Sequence, residues 1–138
     1  MAGSPALLLL LALGLCCPGI HGQRKEMRAR FYDGSTKHPR LGQRLELECV
    51  TFDRNIGASW VLHDKGGTLH FIAYISSPYG ATYAGNNETS TRFEAWKNGS
   101  IYRLFVKSFT TQDEGNYFCL MNSYRTLYIS RGQPVFLP

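Results

Sequence analysis

The 138-residue chain is long enough for one domain and too short for two comfortable cores. Its 15 Lys and Arg outnumber its 10 Asp and Glu, giving a formal net charge of +5, which raises encounter rates with acidic partners. The basic residues are scattered instead of forming a stripe interleaved with stacking aromatics, which argues against a nucleic-acid partner.

The first element is residues 1–22. Ala6 to Leu15 are nearly unbroken Ala and Leu, and small residues follow at Gly19 and Gly22. The apolar run is too short to span a bilayer, so the segment reads as a secretory signal peptide. Met1 to Pro5 carry no Lys or Arg, unlike the usual start of such a signal. Cleavage after Gly22 leaves Gln23 first, and cleavage after Gly19 satisfies the same preference for small residues. Cys16 and Cys17 leave with the signal, and Cys49 and Cys119 remain, separated by 70 positions. In an oxidising compartment they pair. Closing that loop stabilises the fold by about 4 kcal/mol in the chain-entropy account. No later segment approaches the run of about 18 apolar residues that a membrane helix needs.

Past the signal, Arg24, Lys25, Arg28 and Arg30 make the one local concentration of basic charge. Leu45-Glu46-Leu47-Glu48-Cys49 alternates cleanly and places Leu45, Leu47 and Cys49 on one face. Ser59 to Leu62 and Leu69 to Ile75 form two further apolar runs, around Trp60 and Phe71. Tyr102 to Lys107 alternates again and buries Tyr102, Leu104 and Val106. Asn116 to Leu120 and Thr126 to Ser130 complete the series. The breaks are turn-like: Arg54 to Gly57, Asp64 to Gly67, Ser76 to Gly80, Gly85 to Asn87, Lys97 to Gly99 and Asn122 to Arg125. Outside the signal no 3.6-residue apolar period is sustained. The pattern is all-β with minimal helix.

The chemistry of catalysis is missing. The histidines are His21, His38, His63 and His70, and none has the spacing to Cys, Asp or another His that a zinc site wants. His63 and His70 are expected to approach one another across a hairpin as an ordinary cross-strand contact. There is no phosphate-binding glycine loop, nucleophile elbow or free cysteine, so we expect no catalytic residues, no metal and no cofactor. Two sequons, Asn87-Glu88-Thr89 and Asn98-Gly99-Ser100, fall in predicted turns. They are candidate N-glycosylation sites that would mark a face kept free of protein partners.

Cys49, Trp60 and Cys119, with Asp113-Glu114-Gly115-Asn116-Tyr117-Phe118 ahead of the second cysteine, have the order and spacing of an immunoglobulin domain. In that arrangement Trp60 packs on an inter-sheet disulfide and Tyr117 bonds back to the preceding turn. Asp113 pairs with a cation, for which Arg92 is placed, so its carboxylate is structural. The separation of the cysteines leaves room for the C′ and C″ strands of a variable-type β-sandwich, from Leu69 to Ser76 and from Ala81 to Gly85. The expected organisation is a signal at 1–22, a variable-type immunoglobulin domain at 23–133 and the start of a stalk or linker at 134–138.

From Phe31 to Pro138 the chain resembles the alpha chain of the T-cell co-receptor for class I MHC, cluster of differentiation eight. The resemblance is carried by Asn116-Tyr117-Phe118-Cys119, the short loop after it, Leu127-Tyr128-Ile129-Ser130 and Pro134-Val135-Phe136-Leu137-Pro138, with Arg92-Phe93 and Tyr74-Ile75-Ser76 in support. The Phe-Gly-x-Gly of antibody and T-cell-receptor variable domains is missing, with only Gly132 nearby. The resemblance implies a membrane-anchored ectodomain at the cell surface, its anchor beyond residue 138. It implies a homodimer, or a heterodimer with a related beta chain, whose loops grip the α3 domain of class I MHC and support T-cell activation. By position the binding residues are Ser77, Pro78 and Tyr79 in the second loop, Ser123, Tyr124 and Arg125 in the third, and Arg28 and Arg30 on the first strand. Mammalian members carry amide and lysine side chains where this chain has Ser77-Pro78-Tyr79.

A dimer face follows from alternation. Cys119 faces inward, so Phe118 and Leu120 point outward, and Val61 and His63 flank inward Trp60 and Leu62. A face built from Val61, Phe118 and Leu120 is too apolar to leave wet without reason. The alternative is another variable-type cell-surface receptor, adhesive or inhibitory, that binds an immunoglobulin-fold partner.

Overall fold

Each alternating run becomes a strand. The computed structural model describes residues 27–32, 37–77, 80–85 and 87–138, so the signal expected at 1–22 lies outside the described residues. The strands are β1 (Arg28–Phe31), β2 (Leu45–Val50), β3 (Ala58–Asp64), β4 (Leu69–Ser77), β5 (Gly80–Tyr83), β6 (Phe93–Asn98), β7 (Ile101–Val106), β8 (Gly115–Ser123), β9 (Thr126–Ile129) and β10 (Gln133–Val135). One sheet has the order β1-β2-β7-β6. In the other, β5-β4-β3-β8 is completed by β9 and β10, both lying along the free side of β8. The order is that of a variable-type sandwich, with β4 and β5 as C′ and C″. Minimal helix holds among the described residues, apart from a 3-10 turn at Thr111–Asp113 and one short α-helix. Asn87–Arg92, expected to begin in a turn at Asn87, forms a short helix, α1.

Between the sheets the inward residues of both faces make one core. Cys49 and Cys119 are joined by the disulfide, and Trp60 packs in the same cluster with Leu47, Leu104 and Tyr117, all fully buried. The register places Trp60 directly opposite Cys119 on the neighbouring strand, so the indole and the disulfide share one layer. β4 carries a bulge: Trp60 faces Ala73 and Val61 faces Phe71, leaving Ile72 as the extra residue. Ile72 and Ala73 consequently both turn into the core, and the outward residues change from odd to even numbers along β4.

The end of the sandwich near Asp113 is held by polar groups. Asp113 is completely buried, and its carboxylate accepts from Arg92, from the Thr110 amide at 2.9 Å and from the Thr110 hydroxyl at 3.1 Å. A buried charge is tolerable only when so fully paired. The Tyr117 hydroxyl donates to the Asp113 carbonyl at 2.6 Å, and burial pushes the phenol well above its ordinary pKa. Gly115 opens β8 with φ 148, and a Cβ there would stand 2.2 Å from the His63 carbonyl oxygen, so only glycine lets the two strands meet. Beside it Glu114 accepts from Lys65 at 2.7 Å and from the Leu137 amide at 2.9 Å. The Lys65 hydrogen bond is the main cause of its lowered pKa. Pro134 lies within β10 and Val135 is buried in the core, so packing onto the sandwich continues to Leu137.

Candidate recognition surface

The loop end follows from register. Ala58, at the start of β3, stands opposite Ile75 near the end of β4 and opposite Met121 near the end of β8. The connections β2–β3, β4–β5 and β8–β9 therefore emerge together at one end of the molecule. Arg28 joins them, because β1 pairs it with Val50 at the end of β2.

The first loop is fixed from below and from both sides. Lys97, although on a strand, is buried, and its ammonium donates to the Arg54 carbonyl at 2.6 Å. The Tyr102 hydroxyl donates to the Ile56 carbonyl. Burial, with the nearby Tyr74 and Asp53 adding smaller effects, pushes the Tyr102 phenol up to about 12. The Asn55 amide donates to the Asp53 carboxylate at 2.9 Å, the local bond that favours Asp at turns. Tyr74 packs so close to Gly57 that a Cβ there would lie 2.4 Å from its hydroxyl. Phe52 meets Tyr128 edge to face at 4.8 Å between ring centres. A loop so tied presents a preformed surface, which lowers the ordering cost of binding.

The third loop is a two-residue hairpin. Ser123 pairs with Thr126, and between them Tyr124 and Arg125 both take positive φ, 51° and 65°. That is the type I′ pattern, which favours Asn-Gly because side chains are strained there. Tyr124 is 92% exposed. Ser123 is different: its side chain lies on the inward side of β8, only 3% exposed, so the expectation that it reaches a partner is corrected. In the second loop Ser77 ends β4, while Pro78 and Tyr79 lie outside the described residues. On β1, Arg28 is exposed, whereas Arg30 donates to Glu48 at 2.9 Å and stands farther from the loops.

The second surface is the outer face of the sheet containing β3, β4, β8 and β9. Phe118 and Leu120 face outward and are half-buried, and His63 is exposed. Val61 also lies on this side, flanked by Phe118 and Phe71, but it is 0% exposed. Its larger neighbours close over it, so it supports the face without being available for contact, a correction to the sequence expectation. Exposed apolar side chains that sequence reasoning missed complete the patch: Phe71 at 55%, Ile129 at 61%, and Leu69, Tyr74 and Leu127. Ile129 pairs with Leu120 and Phe71 with Val61, so the patch is continuous across the sheet. The alternation of Leu127-Tyr128-Ile129 carried the signal, since Tyr128 packs against the core and its neighbours must face out.

His63 and His70 do not meet as expected. His70 stands opposite Leu62 in register and its Nε2 lies 2.7 Å from the Asp64 carboxylate, on the other side of the strand from His63. Among the described residues no three His, Cys, Asp or Glu side chains converge as metal ligands. No helix among them is long and apolar enough to cross a membrane.

No protein-family model matches the chain. The T-cell surface glycoprotein CD8 alpha chain of Rattus norvegicus is 32% identical over 100 residues, 70% of this chain and 42% of that protein. Its Mus musculus counterpart is 30% identical over 101 residues, 69% of this chain and 41% of the relative. The chain thus spans less than half the length of these relatives. Among solved structures, a swine CD8aa homodimer superposes with a TM-score of 0.68 at 26% identity, covering 81% of this chain and 97% of that one. By sequence and by fold together, the chain carries a CD8 alpha-like, variable-type immunoglobulin domain closed by the Cys49–Cys119 disulfide.

Proposed function

We propose that this domain is the binding head of a T-cell surface co-receptor that pairs with a second copy and holds the α3 domain of class I MHC through its clustered loops. The observation that carries this reading is the continuous exposed apolar face around Phe71, Phe118, Leu120 and Ile129. A face of that kind marks an interaction surface, and burying about 800 Å² per copy gives an ordinary stable interface. The solved relative that resembles it is a homodimer. A related beta chain would dock on the same face. Pairing there sets two loop ends side by side, each presenting Arg28, Arg54 and Arg125 as exposed cations. Such charges steer an acidic partner and make the encounter sensitive to salt. Tyr124 and Arg125, of residue types that concentrate interface energy, stand at the tip.

The direct test is surface plasmon resonance of the processed domain on immobilised class I MHC at two salt concentrations. Specific binding that weakens with salt, and that falls at least tenfold in Arg125→Glu with thermal stability unchanged, is the expected result. Absence of binding, or equal affinity in the variant, overturns the partner or the third-loop assignment respectively.

A further inference from the structure

One motif remains outside both surfaces. Asn98 ends β6, is exposed, and opens the two-residue turn Gly99-Ser100 into β7. Gly99 alone of the two has positive φ, 62°, the pattern of a II′ hairpin, so the Asn98 side chain stands at a tight, fixed corner. Two residues earlier on the same outward face is Trp96, half-buried. Phe105 stacks on it with ring centres 4.3 Å apart and planes at 29°. The register shows which side of the indole is taken. Phe105 stands opposite Glu94, one step along β6 away from the turn, whereas Asn98 and Ile101 are one step toward it. Phe105 thus comes to the indole from the Glu94 side of the strand, and Asn98 lies on the opposite side of Trp96, about 6.6 Å along the strand. Across the sheet from Asn98 stand Ile101 and then Val50, which is exposed.

We propose that Asn98 carries an N-linked oligosaccharide whose first sugar lies back against the free face of Trp96. The Asn98 amide nitrogen attacks the anomeric carbon of a lipid-pyrophosphate-linked oligosaccharide. The C–N bond forms as the C–O bond to the pyrophosphate breaks, the lipid pyrophosphate leaves with that electron pair, and the amide proton passes to base. The sugar's axial C–H groups then meet the electron-rich face of an indole already held rigid by Phe105. Ordered this way the oligosaccharide runs down β6, away from the three loops, and covers the outer face of the β1-β2-β7-β6 sheet. The other sequon, at Asn87, begins α1, so the two differ in local frame.

The test uses the 138-residue chain secreted from mammalian cells with its own leader. Mass spectrometry after trimming to the first sugar should find one N-acetylglucosamine on the Asn98 peptide. The trimmed protein should melt about 4 °C above Asn98→Gln, the scale of a single good contact in a domain this size. In a Trp96→Leu background the same comparison should give no difference. If Trp96→Leu does not fold, the wild-type protein decides: ring-current stacking shifts protons of the first sugar upfield in its NMR spectrum. An unmodified Asn98, an unchanged melting difference in Trp96→Leu, or sugar protons at ordinary shifts overturns the proposal.

Discussion

Tyr102 shows how a residue read from alternation acquires a role that alternation does not contain. Its inward position follows from the period of two along β7, but its partner, the Ile56 carbonyl, lies in an irregular loop that no periodicity foretells. The consequence appears at alkaline pH. In the fold the phenol holds its proton until about 12, while the unfolded chain ionises near the ordinary value of 10.0. The unfolded state therefore loses the proton first, and stability, complete below pH 10, declines between about 10 and 12. Urea denaturation across that window should show a shallower decline in Tyr102→Phe. At neutral pH that variant should lose about 1 kcal/mol with the hydrogen bond. An identical alkaline slope would remove Tyr102 as the cause. Val61 is the converse case: parity gives its side of the sheet, but its exposure depends on the size of Phe71 and Phe118 beside it, which only packing reveals.

Elements were legible where one period ran unbroken. β8 alternates throughout, β2 and β7 depart from alternation only at buried Glu48 and Phe105, and the Cys49–Trp60–Cys119 frame fixes how they stack. The bulge in β4 was not legible, because Phe71-Ile72-Ala73 reads as a plain apolar run, and the change of parity hid Tyr74 and Phe71 as members of one outward face. The β8–β9 hairpin was expected to be short, yet placing Ser123 in the loop made it longer than it is. Its two central residues sit in a conformation that costs side chains about 1 kcal/mol or more each. Replacing Tyr124-Arg125 by Asn-Gly should relieve that strain and stabilise the domain by about 1–2 kcal/mol in chemical denaturation. The same variant should lose class I MHC binding. A stabilised variant that still binds would show that the strained pair is not kept for recognition.

At the scale of the whole molecule, the sandwich carries an apolar face on one sheet and exposed Arg28, Arg54 and Arg125 at its loop end. The apolar face predicts assembly: Phe118→Arg sets a charge in the centre of the patch and should shift the domain toward monomer in sedimentation velocity, with the β-sheet circular-dichroism spectrum retained. A sedimentation profile equal to the wild type would sink the pairing face. The fold class and the disulfide were fully present in the sequence, because immunoglobulin sandwiches announce themselves through spacing. The composition of the face was only half present, because it is gathered from four strands and no single segment displays it. From Tyr124 at the loop tip to Leu137 on Glu114, the backbone passes only through β9 and β10, both laddered along β8. Tension applied between these two points travels along that single covalent segment, with β8 as a splint. The Cys49–Cys119 bond stands off the load path, so a pull at the tip is transmitted without loading the disulfide.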